Sequence, residues 1–299
     1  MNIFVLGGTY FIGRRLVEKL IQDDYNLTLL NIDTREIFPE INTIRADRRD
    51  QNAMRKALRS RSFDVIIDIS GYTQCDVETV LGCLDSNKIK QYIFCSSAAV
   101  YSRPPKYLPM TEKHPKCFSK ENGEYGYNKL MAEQLLFRKW KEEKLNISVV
   151  RPTYVYGPYD YSRRISYIFE KIKGGEPVLI SGNGENIIQL GYVDDLADAI
   201  ISILGNTKTY GEAFNISGAE LVTIQQFVKI AADALKMKVD IQCLSNESNI
   251  NKETCSLPDF HYFVDILKAK EILDISPKIN LVEGMRKTAL WWLKNKGKD

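Results

Sequence analysis

Tyr125 and Lys129 stand four residues apart in Glu124-Tyr125-Gly126-Tyr127-Asn128-Lys129, where a helical pattern begins. That spacing puts both side chains on one helix face. A phenol is a poor base at its unperturbed pKa of about 10. A neighbouring ammonium favours the phenolate and lowers that value. Beside a nicotinamide, such a pair can take a proton from a sugar hydroxyl, or return one, as hydride moves. Tyr127 is two residues from Lys129 and does not share its face. Alone, the Y-x-x-x-K spacing is common, and a partly exposed helix start is the bland reading.

Two further stretches carry chemistry. Ser96-Ser97-Ala98-Ala99-Val100-Tyr101 follows the apolar run Tyr92-Ile93-Phe94-Cys95. A serine at the carboxyl edge of a parallel sheet sits where ligands bind in such folds. Ser97 could hydrogen-bond a reacting oxygen; taken alone, a strand-end serine that caps a turn is the simpler reading. At the start of the chain, Asn2-Ile3-Phe4-Val5-Leu6 runs into Gly7-Gly8-Thr9-Tyr10-Phe11-Ile12-Gly13, and a helical pattern follows at once. Strand, glycine turn and helix form the start of a dinucleotide-binding unit. Its free helix N–H groups and positive dipole end suit a pyrophosphate. The usual third glycine would stand at position 10, where this chain has Tyr10.

These residues need a scaffold, and the hydrophobic pattern supplies one. Strand-like runs at 2–6, 27–31, 43–46, 63–70, 91–97 and 147–151 alternate with helical patterns. That alternation predicts a parallel sheet covered on both faces. Asp33, about twenty residues past the glycines, is either a partner of the adenosine ribose or a turn residue at a strand end. Arg35 could instead meet a 2′-phosphate. NAD is favoured over NADP because Asp33 would repel that phosphate, and NADP stays open. Asp50 is placed to cap the helix that follows. Ser70-Gly71 suits a backbone approaching a ligand. Tyr154 to Arg164 reads as a pocket-lining loop. Beyond it the alternation loosens, with Thr223 and Gln226 forming a capping-box pattern.

The 299 residues are 44% hydrophobic and 26% charged, with net charge +3, ordinary for a soluble globular protein. That charge is too mild to argue for a nucleic-acid or membrane partner. Six cysteines without a C-x-x-C pair, and two histidines, predict no metal site and reduced thiols in a cytoplasmic protein. The first residues carry no basic signal-peptide region, and no apolar run approaches a membrane span.

Together the motifs resemble the extended short-chain dehydrogenase/reductase family of NAD-dependent sugar-nucleotide epimerases, dehydratases and reductases. Gly7…Gly13 matches its glycine fingerprint, and Asp47-Arg48-Arg49-Asp50 resembles its adenine-side motif. Ser97, Tyr125, Gly126, Lys129 and Glu133 fall on its catalytic set. Arg151-Pro152-Thr153-Tyr154-Val155-Tyr156-Gly157-Pro158 is similar to another signature, and Gly182-Asn183-Gly184 with Tyr192-Val193-Asp194-Asp195 to a third. The resemblance implies a Rossmann-type doubly wound sheet in residues 1–158 with 194–218. A smaller α/β substrate domain would comprise 159–193 with 219–299, and a homodimer is expected. It implies that Gly7, Thr9, Tyr10, Phe11, Ile12, Gly13, Asn31, Asp33, Arg35, Asp47, Arg48, Ser70, Gly71, Tyr125, Lys129 and Tyr154 bind the cofactor. Tyr72, Arg163, Arg164 and Gln189 would meet a nucleotide-linked sugar. Ser97, Tyr125 and Lys129 would be catalytic.

Three departures qualify this. Ala98 and Ala99 stand where 4,6-dehydratases carry acids, which disfavours water elimination. Gln189-Leu190 replaces a pair containing the arginine that often meets the nucleotide diphosphate, and Arg163 or Arg164 could substitute. Tyr10 occupies a glycine position. With Ile69-Ser70-Gly71-Tyr72, these features are similar to a divergent branch that includes chloroplast stem-loop RNA-binding proteins. The leading expectation is therefore an epimerase or 4-keto reductase. The alternative is a cofactor-sensing or RNA-binding protein on the same fold, against which stands the absence of a basic stripe.

Overall fold

A computed structural model describes residues 1–32, 37–120, 123–244, 255 and 257–295. In chain order the first half runs β1 (Asn2–Leu6), α1 (Phe11–Leu20), β2 (Asn26–Asn31), β3 (Asn42–Arg45), α2 (Gln51–Leu58), β4 (Val65–Asp68), α3 (Gln74–Leu81), β5 (Gln91–Cys95), α4 (Glu124–Glu143) and β6 (Ile147–Pro152). Then come β7 (Tyr154–Tyr156), α5 (Arg164–Gly174), β8 (Val178–Ser181), β9 (Ile187–Tyr192), α6 (Val193–Ile203) and β10 (Glu212–Ile216). The chain closes with β11 (Leu221–Thr223), α7 (Ile224–Leu235), β12 (Ile241–Leu244), α8 (Leu267–Leu273) and α9 (Leu281–Asn295).

Seven strands form one sheet in the order β3-β2-β1-β4-β5-β6-β10. Every neighbouring pair in it is parallel. Its middle strands are apolar runs because helices cover both faces. Along β1, Ile3 and Val5 pack with Leu16, Val17 and Leu20 of α1. Phe4 and Leu6, pointing the other way, pack with Val80 of α3 and Leu136 of α4. Asp50 accepts from the backbone N–H groups of Asn52 and Ala53 at 2.9 and 3.0 Å and so caps α2, an interaction worth about 1 kcal/mol. Thr223 and Gln226 form the capping box that opens α7.

The strand order reverses between β1 and β4, and ligands bind outside the carboxyl ends of the strands at such a switch point. Gly7 follows β1 there, and Ser70 lies just beyond β4.

The remaining strands are less legible. Tyr154–Tyr156, expected in a loop, is a strand paired with β9. β9 also pairs antiparallel with β11, and β8 pairs with β12. These strands are three to six residues long, too short for a clear period-two pattern. α8 begins only at Leu267, since just before it Asp265 N–H donates to the Met110 carbonyl at 2.9 Å.

Candidate functional site

A cleft of about 440 Å³ opens at the switch point, lined by Gly7, Tyr10, Phe11, Ile12, Ser70, Tyr72, Ser97, Tyr125, Lys129 and Tyr161 among others. Its phosphate end is the turn into α1. Gly7 has φ +85°, and a Cβ at Gly13 would stand 1.9 Å from the Gly7 carbonyl oxygen. Both positions therefore require glycine. Position 10 does not: Tyr10 is extended, with φ −125° and ψ 147°, and its ring is 42% exposed. The left-handed residue here is Phe11, at φ +39°, a conformation that costs a non-glycine residue about 1–3 kcal/mol. Thr9 is buried beside it.

Tyr125 and Lys129 lie on the first turns of α4, which seats itself through Gly126. A Cβ there would meet the Ala99 carbonyl oxygen at 2.1 Å. The glycine thus lets the helix rest on the short turn Ala98–Val100 that Ser97 caps, its hydroxyl accepting from Ala99 N–H at 3.1 Å. Ser97 is therefore both a turn cap and a wall of the cleft. Lys129 is 3% exposed. Its Nζ donates to the carbonyls of Gly71 and Cys95, each at 2.7 Å. An ammonium has three donors, so one remains for a ligand. Burial lowers the Lys129 pKa, partly offset by Cys95 and Asp68.

The Tyr125 phenol departs from the sequence-based expectation. Although Tyr125 is 46% exposed to the cleft, the protein around its phenol raises the pKa. Desolvation is the main cause, followed by Cys95 and Tyr72; a hydrogen bond with Ser97 and the charge of Arg103 oppose it. The Lys129 ammonium is 5.9 Å from the Tyr125 ring centroid and is committed to two carbonyls. Lys129 is not among the leading influences on the phenol, whose pKa rises where the spacing suggested a fall.

A buried ion pair holds this floor in place. Asp68 is fully buried and accepts from both terminal nitrogens of Arg48, at 2.7 and 2.8 Å. It also accepts from Tyr92 Oη at 2.7 Å and from Gly71 N–H at 2.8 Å. The loop whose Gly71 carbonyl receives Lys129 is thus fixed by Asp68, a residue that reads in the sequence only as a charge interrupting a strand. Arg48, assigned by its motif to the adenine side, is turned inward to Asp68, the Ser70 hydroxyl at 3.1 Å and the Asp76 carbonyl at 2.9 Å.

Other predicted residues fall around the rim or away from the cleft. Asn31 is buried at the end of β2. Asp47 pairs with Arg49 on the surface, and that side-chain hydrogen bond holds its carboxyl down to about 2. Asp33 and Arg35 lie outside the described residues. Tyr72 Oη is 3.4 Å from Tyr161 Oη. Tyr154 packs on Tyr262, with the Arg164 guanidinium 4.7 Å from its ring centroid. The Arg163 side chain is 82% exposed, with Glu170 3.9 Å away. Gln189 is a correction: both ends of its amide bond backbone, the Gly218 carbonyl at 2.7 Å and Val264 N–H at 2.9 Å. It braces β9 instead of facing a substrate. Tyr161 and Ser96, both lining the cleft, carried no signal beyond their neighbourhood.

The glycine turn, the switch point and the spare Lys129 donor suit a dinucleotide, and the fold is a Rossmann-type α/β fold. The chain belongs to the NAD dependent epimerase/dehydratase family, whose pattern matches residues 3–217. It is 33% identical over 305 residues to the chloroplast stem-loop binding protein of 41 kDa b of Arabidopsis thaliana, covering 95% of this chain and 77% of that one. It is 28% identical over 255 residues to the N-acetyl-alpha-D-glucosaminyl-diphospho-ditrans,octacis-undecaprenol 4-epimerase of Escherichia coli O157:H7, covering 80% and 73%. The crystal structure of a UDP-glucose 4-epimerase with UDP-glucose from Thermotoga maritima shares the fold, with TM-score 0.83, 23% identity and 99% of each chain covered. Among the described residues no helix is long and apolar enough to cross a membrane.

Proposed function

We propose that the protein is an NAD-dependent epimerase or 4-keto reductase acting on a sugar joined to a diphosphate carrier. The observation that carries this reading is the convergence of Ser97, Tyr125 and Lys129 on one cleft beside the glycine turn. Gly7, Gly13 and the start of α1 would hold the pyrophosphate, and the third donor of Lys129 would hold the nicotinamide ribose. NAD supplies hydride acceptance and return at its nicotinamide when bound. Tyr125 would exchange a proton with the sugar oxygen, and Ser97 would orient that oxygen. With its pKa raised, the Tyr125 phenol is a proton donor at neutral pH. That suits return of a proton to a ketone; oxidation needs that proton lost first to the solvent that reaches the half-exposed Tyr125. Buried Ala98 and Ala99 offer no acid for water elimination. The division into a dinucleotide unit, residues 1–158 with 194–218, and a substrate unit, 159–193 with 219–299, is part of this proposal.

The test is Tyr125→Phe, assayed with NAD and a panel of nucleotide-linked and polyprenyl-linked hexoses. NAD binding should survive and turnover should collapse. Turnover that persists in the variant would sink the assignment. A second reading, stem-loop RNA binding, is favoured by the 33% identical relative, a chloroplast stem-loop binding protein. Salt-dependent RNA retardation would support it, and no retardation at low salt would remove it.

A further inference from the structure

Three strained residues meet at one place in the cleft. Lys144, Lys236 and Asp274 have positive φ because they close α4, α7 and α8, where a left-handed residue is a usual stop. Phe11, Tyr159 and Arg163, at φ +39°, +67° and +60°, close no helix. Tyr159 and Arg163 bracket residues 160–162, just before α5, and Phe11 opens α1. Left-handed residues with side chains persist only where surrounding contacts hold them, and they cluster at ligand clamps and switches.

The contacts that hold this segment run across the cleft. The Tyr159 ring is anchored by the Arg14 guanidinium of α1, 3.9 Å from its centroid, and by Trp291 of α9, with centroids 5.1 Å apart. Tyr161 reaches further. Its ring meets Phe11 edge-on, with centroids 6.0 Å apart and planes at 83°, and its Oη is 3.4 Å from Tyr72 Oη. Phe11 follows β1 and Tyr72 follows β4, the two strands of the switch point. Tyr161 therefore bridges the two loops beside the dinucleotide position, and all three side chains line the cleft. It is nonetheless 63% exposed, with room to swing outward. Beside it, Asp160 Oδ1 accepts from Ser162 N–H at 2.8 Å, while Oδ2 is buried without a hydrogen-bond partner among the described residues. The closed segment thus carries a strained backbone and an unmet acceptor, and its aromatic contacts hold it shut against both.

We propose that Tyr161 is a latch on the dinucleotide. Its ring closes over the cofactor where α1 begins and leans on Phe11, so that the cofactor leaves only after Tyr161 parts from Phe11 and Tyr72. The inference rests on the reading that NAD occupies this cleft, and it adds control of release to that reading. A latch that stays shut through turnover keeps one nicotinamide in place for hydride return, which serves an epimerase. A latch that opens in every cycle serves a reductase, which must reload.

The experiment is stopped-flow release of NADH, chased with excess NAD and followed by nicotinamide fluorescence, with equilibrium affinity measured alongside. Tyr161→Ala should speed release about tenfold, the order of an aromatic edge contact together with a weak hydrogen bond. Affinity should fall by the same factor, with association little changed. Tyr161→Phe keeps the ring on Phe11 and should release NADH nearly as slowly as wild type. Tyr161 is exposed, so neither substitution threatens the fold. Release from Tyr161→Ala at the wild-type rate overturns the proposal. Tighter binding by Tyr161→Ala also overturns it, because the ring would then be an obstruction. So does release from Tyr161→Phe as fast as from Tyr161→Ala, because the Phe11 contact would then hold nothing. Wild type that binds no NADH overturns both the latch and the cofactor reading beneath it, whereas bound NADH with an unchanged release rate overturns the latch alone.

Discussion

Lys129 and Gly71 meet across the cleft floor, with Lys129 Nζ donating to the Gly71 carbonyl at 2.7 Å. This bond ties the first turns of α4 to the loop after β4 and leaves one ammonium donor toward the cleft. Replacing Lys129 by Met keeps the apolar stem and removes all three donors. Turnover should fall about a hundredfold or more, with weaker NAD binding. Circular dichroism should show the fold retained. Unchanged NAD affinity would show that the spare donor does not face the dinucleotide.

Asp68 neutralises Arg48 where neither charge has water. In Asp68→Asn the buried Arg48 charge keeps only the Asp76 carboxylate, 3.9 Å from its Nε, and breaking a buried pair of this kind costs about 3–5 kcal/mol. Chemical denaturation should show that loss. A change below about 1 kcal/mol, the worth of an exposed pair, would mean that water reaches Arg48 in solution.

Gly126 lies against the Ala99 carbonyl. Gly126→Ala forces α4 away from the Ser97 turn, because its Cβ would stand 2.1 Å from that oxygen. A stability loss of about 1–3 kcal/mol is expected from overpacking, together with a fall in kcat as Tyr125 moves with the helix. A stable variant with full activity would contradict this packing.

Tyr10 is extended and its ring borders the cleft. Tyr10→Gly should leave the melting temperature within a few degrees, since the cost is that of added chain freedom, roughly 1 kcal/mol or less. NAD affinity should change only modestly. A wild type that does not bind NAD, rescued by this change, would show instead that the turn has lost its phosphate-binding role.

Lys116 is a pH probe. Burial, and then the charge of Arg151, lower its pKa from 10.5 to about 7, while its Nζ donates to the Glu112 and His114 carbonyls at 2.7 and 2.8 Å. Its folded value is below its unfolded one, so the unfolded chain binds more protons between these values. Stability from this group therefore rises with pH from about 7 to 10.5. Urea midpoints of wild type and Lys116→Met, compared at about pH 7 and about pH 9.5, should show wild type gaining on the variant at the higher pH. A pH-independent difference would remove the assignment.

The sequence by itself determined the large sheet and the residues that meet in its cleft. Apolar runs alternating with amphipathic helices have one economical packing, and the turn after β1 carries local demands for glycine at positions 7 and 13. Local spacing therefore announces Ser97, Tyr125 and Lys129. Tertiary structure decided what spacing cannot encode. Arg48 and Asp68 are twenty residues apart and pair only in the folded sheet, where the segment after β3 reaches the carboxyl end of β4. Gln189 is turned to backbone by Gly218 and Val264, which arrive from later segments. The Tyr125 pKa moves opposite to the direction the Lys129 spacing suggested, because desolvation depends on everything packed around the phenol. At Tyr10 the glycine pattern implied a need that the backbone does not have: the turn's positive-φ residues are Gly7 and Phe11.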